Sequence, residues 1–213
     1  MDYITKAQAS ASDVGAPGGR ILTACNATPG TGIAQAVSAS YDETKALVNI
    51  GLNGTTAPGT VLVPQWIRLI STVAPASGTS AAAAISIYAN DVPGGGTVLT
   101  QRSAVGGGSA GTGTTVRAGA VALAAGTLIR SRFQLRSAIP VVGDEMLILF
   151  GGGAATDTLG GTTAVRSVTV VPRIAVIGTA GSSPGIALHV WYPSNAVTPA
   201  SWEVEVCWRE IGG

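Results

Sequence analysis

From about residue 20 onward, apolar and polar side chains alternate with a period of two, and no stretch carries the 3.6-residue spacing and caps of a helix. Such a chain builds strands, because only an extended backbone points successive side chains to opposite faces. Near the C-terminus, Trp202, Val204, Val206 and Trp208 fall on one phase and Glu203, Glu205, Cys207 and Arg209 on the other. Ile129, Phe133 and Leu135 alternate in the same way against Arg130, Arg132, Gln134 and Arg136, and Ile85 and Ile87 against Ser86 and Tyr88. The unbroken run Met146-Leu147-Ile148-Leu149-Phe150 predicts a strand buried on both faces. Further strands are expected at 21–26, 33–40, 46–52, 61–72, 97–101, 116–123, 165–171, 173–177 and 185–192.

Glycine-rich punctuation at Asn53-Gly54, 91–96, 106–113 and Gly160-Gly161 marks the turns and loops between them. Many short strands so separated predict an antiparallel sandwich or barrel. Pro64 inside the longest strand predicts a bulge or an edge position, since proline cannot donate to a ladder. The stretch 41–51 is ambiguous, because Asp42, Glu43 and Lys45 could open one helical turn. Residues 1–19 are small and polar and end in Pro17-Gly18-Gly19; they are either a frayed tail or, as expected here, an arm that orders against a neighbouring subunit.

The chain has 213 residues, enough to bury a core on packing alone. Charged residues are only 11%, with Lys+Arg 12 against Asp+Glu 11, which opposes disorder and removes the positive field a nucleic-acid reader needs. The N-terminus carries Asp2 and no long apolar run, unlike a secretory leader, so synthesis in a cytosol is expected. Prolines interrupt both charge-free stretches, 69–90 and 174–202, and the aromatics are too few for the girdles of an outer-membrane barrel, so no membrane partner is expected. Cys25 and Cys207 would approach each other if the first and last strands pair; buried thiols are expected rather than a disulfide. Two cysteines and one histidine, far apart, do not make a zinc set, and no metal or cofactor is expected.

Ser109 and Ser183 each sit in a Gly-x-Ser-x-Gly-like spelling, yet neither stands between a strand and a helix as a nucleophile elbow must. His189, the sole imidazole, lies on a strand among Ile186, Leu188 and Val190, which favours a structural or surface role over that of a general base. Only Lys6 and Lys45 exist, and neither follows a glycine as in a phosphate loop. Glu203 and Glu205 share a face, and Asp144-Glu145 and Asp42-Glu43 are adjacent, but no aromatic platform accompanies them as in a glycosidase. Trp66, Trp191, Trp202 and Trp208 lie in strands and are expected in the core. Arg130, Arg132 and Arg136 form a basic row, with Arg68 and Arg117 expected on neighbouring strands. That row is either a sheet face paired against carboxylates such as Glu203 and Glu205 or a subunit contact, where arginine is favoured over lysine.

Val63-Pro64-Gln65-Trp66-Ile67-Arg68-Leu69-Ile70, Pro140-Val141-Val142-Gly143-Asp144-Glu145 leading into Leu147-Ile148-Leu149-Phe150-Gly151, Leu188-His189-Val190-Trp191-Tyr192-Pro193-Ser194, and Trp202-Glu203-Val204-Glu205-Val206 with Arg209-Glu210 resemble stretches of tailed-bacteriophage virion proteins. Over 60–210 the chain is similar to small β-sandwich structural proteins of the capsid-decoration or minor-capsid kind. The resemblance implies subunits made in a host cytoplasm and assembled without cofactor onto a shell, usually as symmetric oligomers.

Together these readings predict an all-β, antiparallel, jelly-roll-like sandwich over residues 20–213 with an extended N-terminal arm over 1–19. The expected function is that of a non-enzymatic virion protein that binds and reinforces a phage capsid. Its partners would be the major capsid protein or other virion proteins and copies of itself, as dimer or trimer, with Arg68, Arg130, Arg132 and Arg136 as subunit-contact candidates. The alternative is a tail or fibre module that binds a host-surface glycan, for which Tyr192 is the nearest aromatic. A serine hydrolase using Ser109 or Ser183 with His189 is the least favoured reading.

Overall fold

A computed structural model describes residues 19–53, 58–104, 113–124, 126–151, 166–170, 173–195 and 198–212. Among them every regular element is a strand: β1 Arg20–Cys25, β2 Ile33–Ala34, β3 Lys45–Leu52, β4 Val61–Val73, β5 Ala81–Tyr88, β6 Gly94–Val98, β7 Thr100–Ser103, β8 Thr114–Ala122, β9 Thr127–Arg136, β10 Glu145–Phe150, β11 Arg166–Val170, β12 Val176–Ile177, β13 Gly185–Trp191 and β14 Ser201–Ile211. Residues 1–18 of the arm expected over 1–19, Ser109 and Gly160-Gly161 lie outside the described residues.

Two sheets pack face to face. The eight-stranded sheet runs β11-β10-β4-β14-β1-β7, with β12 added beside β4 and β2 beside β14; the six-stranded sheet runs β6-β8-β3-β13-β5-β9. Every pairing is antiparallel except β10 with β11. The fold is an antiparallel-rich two-sheet sandwich. The central element is the last strand: β14 pairs with β4 on one side and with β1 on the other, so the two ends of the described chain meet.

The core lies between the sheets. Trp202, Val204, Val206 and Trp208 of β14 are fully buried there, with Leu69 and Ile148 beside them and Val48, Ile85, Val116 and Leu188 contributed by the other sheet. A buried polar pin holds one end: Gln35 Oε1 accepts from Trp202 Nε1 at 2.7 Å and from the Tyr192 hydroxyl at 2.9 Å. Tyr192 is therefore buried and committed inside the molecule, and does not offer the exposed ring that the glycan-binding alternative needed.

Several local expectations change. The strand expected at 97–101 divides at the buried Leu99, where the chain leaves β8 and joins β1, sealing one side of the sandwich as a corner. Of the strand expected at 33–40 only Ile33–Ala34 forms. The following segment crosses over the six-stranded sheet, where Tyr41 packs edge-on against His189 and Trp191. Instead of a helical turn, Asp42 closes a tight turn, accepting from Thr44 N at 3.0 Å and Thr44 Oγ1 at 2.7 Å and pairing with Lys45 Nζ at 2.9 Å. The Thr44 hydroxyl, then Lys45, hold its carboxyl down at about 2. Pro64 sits in an interior strand, but at a bulge: Cys207 faces Trp66 and Trp208 faces Pro64, leaving Gln65 extra. On its other flank β10 pairs only from Trp66 onward and β12 only at Val61 and Leu62, so no ladder bond is asked of the proline.

The 146–150 run is not buried on both faces. Met146, Ile148 and Phe150 enter the core while Leu147 and Leu149 lie half-buried on the outer face. The doubly buried strands are β3, β5 and β13, because the crossing segment and neighbouring loops overlie the outer side of the six-stranded sheet.

Candidate functional site

Among the described residues nothing overlies the centre of the eight-stranded sheet, whose outer face carries partly buried apolar side chains. Register places Leu147, Arg68, Glu205 and Cys25 in one row and Leu149, Trp66, Cys207 and Thr23 in the next, with Glu145, Ile70 and Glu203 alongside. Trp66, Ile70, Leu147 and Leu149 are all half-buried. Trp66 thus departs from the expectation that the tryptophans are core; the bulge at Gln65 and the alternation beyond it send Ile67 and Leu69 inward and Trp66 outward. Trp191 also lies outside the main core, packed with Ala82, Ala84 and Tyr41 on the other sheet's outer side.

Arg68 holds the centre of this face. Its Nε donates to Glu145 Oε1 at 2.7 Å, Nη2 to Glu145 Oε2 at 3.0 Å and Nη1 to Glu205 Oε2 at 3.0 Å. A planar guanidinium fork meets one carboxylate with two bonds and the second with a third, so both carboxylates share one cation without facing each other unpaired. These bonds raise the Arg68 pKa, and Arg68 in turn lowers that of Glu145. Pairing of the sheet-face charges with Glu205 is as the sequence anticipated; Glu203 instead accepts from Gly30 N, and the bidentate partner is Glu145.

The other arginines do not join Arg68. Register shifts between β5 and β9 break the row: Arg130 stands opposite the core residue Ile85, whereas Arg132 lines an open hollow with Tyr41 and Trp191. Arg136 turns to Ile139 O at 3.0 Å and to the Asp144 carboxylate. Asp144 also accepts from Val141 N at 2.7 Å and, through its own carbonyl, from Ser71 N at 2.9 Å, so this pair clamps β9 of one sheet to β4 of the other. The cause is the bulging of β9, whose extra residues reverse the phase that simple alternation assumes. Arg117 donates to Gly95 O at 2.8 Å.

His189 is 1% exposed and its partner is neither predicted serine. Its Nε2 lies 2.8 Å from the Ser86 hydroxyl and its Nδ1 lies 3.0 Å from Lys45 O. A carbonyl can only accept, so in the neutral ring Nδ1 carries the proton and Nε2 accepts from Ser86. Burial lowers the His189 pKa. The arrangement has the contact of a nucleophile and a base, but Ser86 is 0% exposed, and no substrate atom can reach the pair in this conformation. The signal for it was in the sequence, since Ser86 and His189 both occupy the polar phase of apolar strands; what was lacking is that β5 and β13 are neighbours. Ser183 is tied instead through its backbone to Asn90 Oδ1 at 3.0 Å.

Cys25 and Cys207 do come to neighbouring strands, one register step apart, with Cys207 opposite Thr23 and Cys25 opposite Glu205. Both are free thiols; burial pushes that of Cys207 up to about 11. Among the described residues no helix is long and apolar enough to cross a membrane, and no three His, Cys, Asp or Glu side chains converge. No protein-family model, curated protein or solved structure matches the chain.

Proposed function

We propose that the chain is a non-enzymatic structural protein of a virion, which binds and reinforces a tailed-phage capsid through the outer face of its eight-stranded sheet. The observation that carries this reading is the composition of that face: Trp66, Ile70, Leu147 and Leu149 stand only partly buried around an Arg68 whose charge already meets Glu145 and Glu205. Covering such a surface removes apolar area from water at about 25 cal/mol per Å2 and strands no lone cation. A chain with 11% charged residues and ten arginines to two lysines has the composition favoured where surfaces are covered in the working state. The resemblance to phage virion proteins names the shell as partner, with the major capsid protein presenting the complementary surface and copies of this chain forming a dimer or trimer. The place of action is the virion, after assembly in the host cytoplasm.

The test is co-sedimentation of the full chain with capsid particles of the phage that encodes it, wild type against Trp66→Ser and Leu149→Gln. Binding lost in both variants, each still folded by circular dichroism, is the expected result. A chain that remains monomeric by light scattering and stays in the supernatant when the particles pellet would overturn the reading.

A further inference from the structure

On the outer side of the six-stranded sheet, at the end near β8, lies a hollow of about 270 Å3. It is built rather than accidental. The Tyr88 ring reaches from β5 across Gly185 of β13 and Gly51 of β3, which face each other in register; a Cβ at Gly51 would lie 2.5 Å from the Tyr88 oxygen, and one at Gly185 would collide with the same group. The hydroxyl so delivered accepts from Asn49 Nδ2 at 2.5 Å, and the same amide nitrogen donates to Ile186 O at 3.2 Å. Because the Ile186 carbonyl can only accept, the amide cannot be turned round. Asn49 Oδ1 is therefore held on the Gly51 side, 3.7 Å from the position of a Gly51 Cβ. Asn49 is 1% exposed, both it and Gly51 line the hollow, and Oδ1 has no hydrogen-bond partner.

The walls are equally fixed. Asp91 accepts from Ala124 N at 2.7 Å and its own N donates to Ser183 O at 3.0 Å, which pins the loop after β5 to the loop before β13. Arg117, directly opposite Asn49 on β8, supplies the cation. Val92 and Pro93 complete the lining with apolar surface, and Val92 is 78% exposed.

We propose that this hollow binds a neutral, polyhydroxylated ligand of the size of one sugar residue. A buried acceptor without a donor calls for a hydroxyl or N–H from the ligand. Asp91 adds an acceptor and Arg117 donors, the pattern that a ring of alternating hydroxyls satisfies, while Val92 and Pro93 suit the C–H face of such a ring. A simple anion meets Asp91 and a simple cation meets Arg117, so neither is favoured. The site does not rest on the capsid reading and uses none of the same residues.

The experiment is titration of the full chain, followed by two-dimensional amide NMR, with glucose and N-acetylglucosamine as neutral probes and glycine and inorganic phosphate as charged ones. Saturable shifts confined to the amides around Asn49, Asp91 and Arg117, with a dissociation constant on the order of 1 mM for at least one sugar, are expected. Arg117→Ala, at a half-exposed position, should weaken that binding by about tenfold or more while leaving the rest of the spectrum in place; Asn49→Leu should abolish it. Absence of saturation with both sugars, tighter binding of glycine or phosphate, or sugar shifts unchanged in Arg117→Ala would each overturn the proposal.

Discussion

At the scale of single residues, two buried groups set opposite pH dependences. Burial lowers the folded-state pKa of His189 below its ordinary 6.5, so the unfolded chain binds the proton more readily; stability is undiminished above that value and falls as the pH drops through it. Burial raises the Glu210 pKa above 4.5, so its contribution runs the other way, with stability recovered on acidification through the raised value. The melting temperature of the wild type is expected to fall between pH 7 and pH 5 and that of His189→Gln to fall less, as scanning calorimetry at each pH will read. Gly185 makes a steric prediction. A Cβ there meets both the Tyr88 ring and, at 2.7 Å, the backbone oxygen of Ile50, and the backbone cannot step aside as a side-chain tip can. Gly185→Ala should cost about 1–3 kcal/mol in urea unfolding and shift the Tyr88 resonances. Neither site was legible as a contact in the sequence: Ser86 and Tyr88 showed only as the alternate phase of an apolar strand, and Asn49 carried no signal.

At the scale of elements, the Arg68 cluster ties β10, β4 and β14 together across their outer face. All three side chains are between a quarter and a half exposed, so the cluster is screened and worth little as raw electrostatics; its removal, however, leaves Glu145 and Glu205 as neighbouring anions. Arg68→Ala is expected to lower stability by about 1 kcal/mol at pH 7. Because the Glu145 pKa is lowered on folding, that loss should shrink as the pH falls below 4.5, which paired denaturation curves at pH 7 and pH 3 will check. The element boundaries themselves were largely readable, since β1, β3, β4, β8, β9, β10, β13 and β14 each fall on an alternating or apolar run. What alternation misplaced were the faces after a bulge, as at Arg130 and Arg132, and the strand that divides at Leu99 to serve both sheets.

At the scale of the molecule, the first and last strands are neighbours and the two sheets are clamped at one end by Arg136 and Asp144, whose side chains are 14% and 12% exposed. Arg136→Ala should cost about 3 kcal/mol, because Asp144 is left as a nearly buried charge with a single backbone donor, whereas replacing both residues by Leu should cost less; a double-mutant cycle in guanidinium measures the difference. The pairing of β1 with β14 closes a loop nearly as long as the chain, so refolding is expected on the millisecond-to-second scale or slower, seen by stopped-flow tryptophan fluorescence. The proposed capsid binding and the proposed sugar binding are likewise questions for the whole molecule, since they would engage different sheets.

Alternation, punctuation and scarcity of charge are local properties, and they were enough to determine that the chain builds strands, that these pack as a sandwich or a barrel, and which phase of the last strand enters the core. Pairing order was beyond them. Only the tertiary structure decided that Arg68 meets Glu145 as well as Glu205, that His189 meets Ser86, and that Tyr88 lies over two glycines. The physical reason is that a strand's pattern specifies which face is apolar, whereas its neighbours are selected by packing over the whole core, and each bulge resets the phase from which a side chain's direction is inferred.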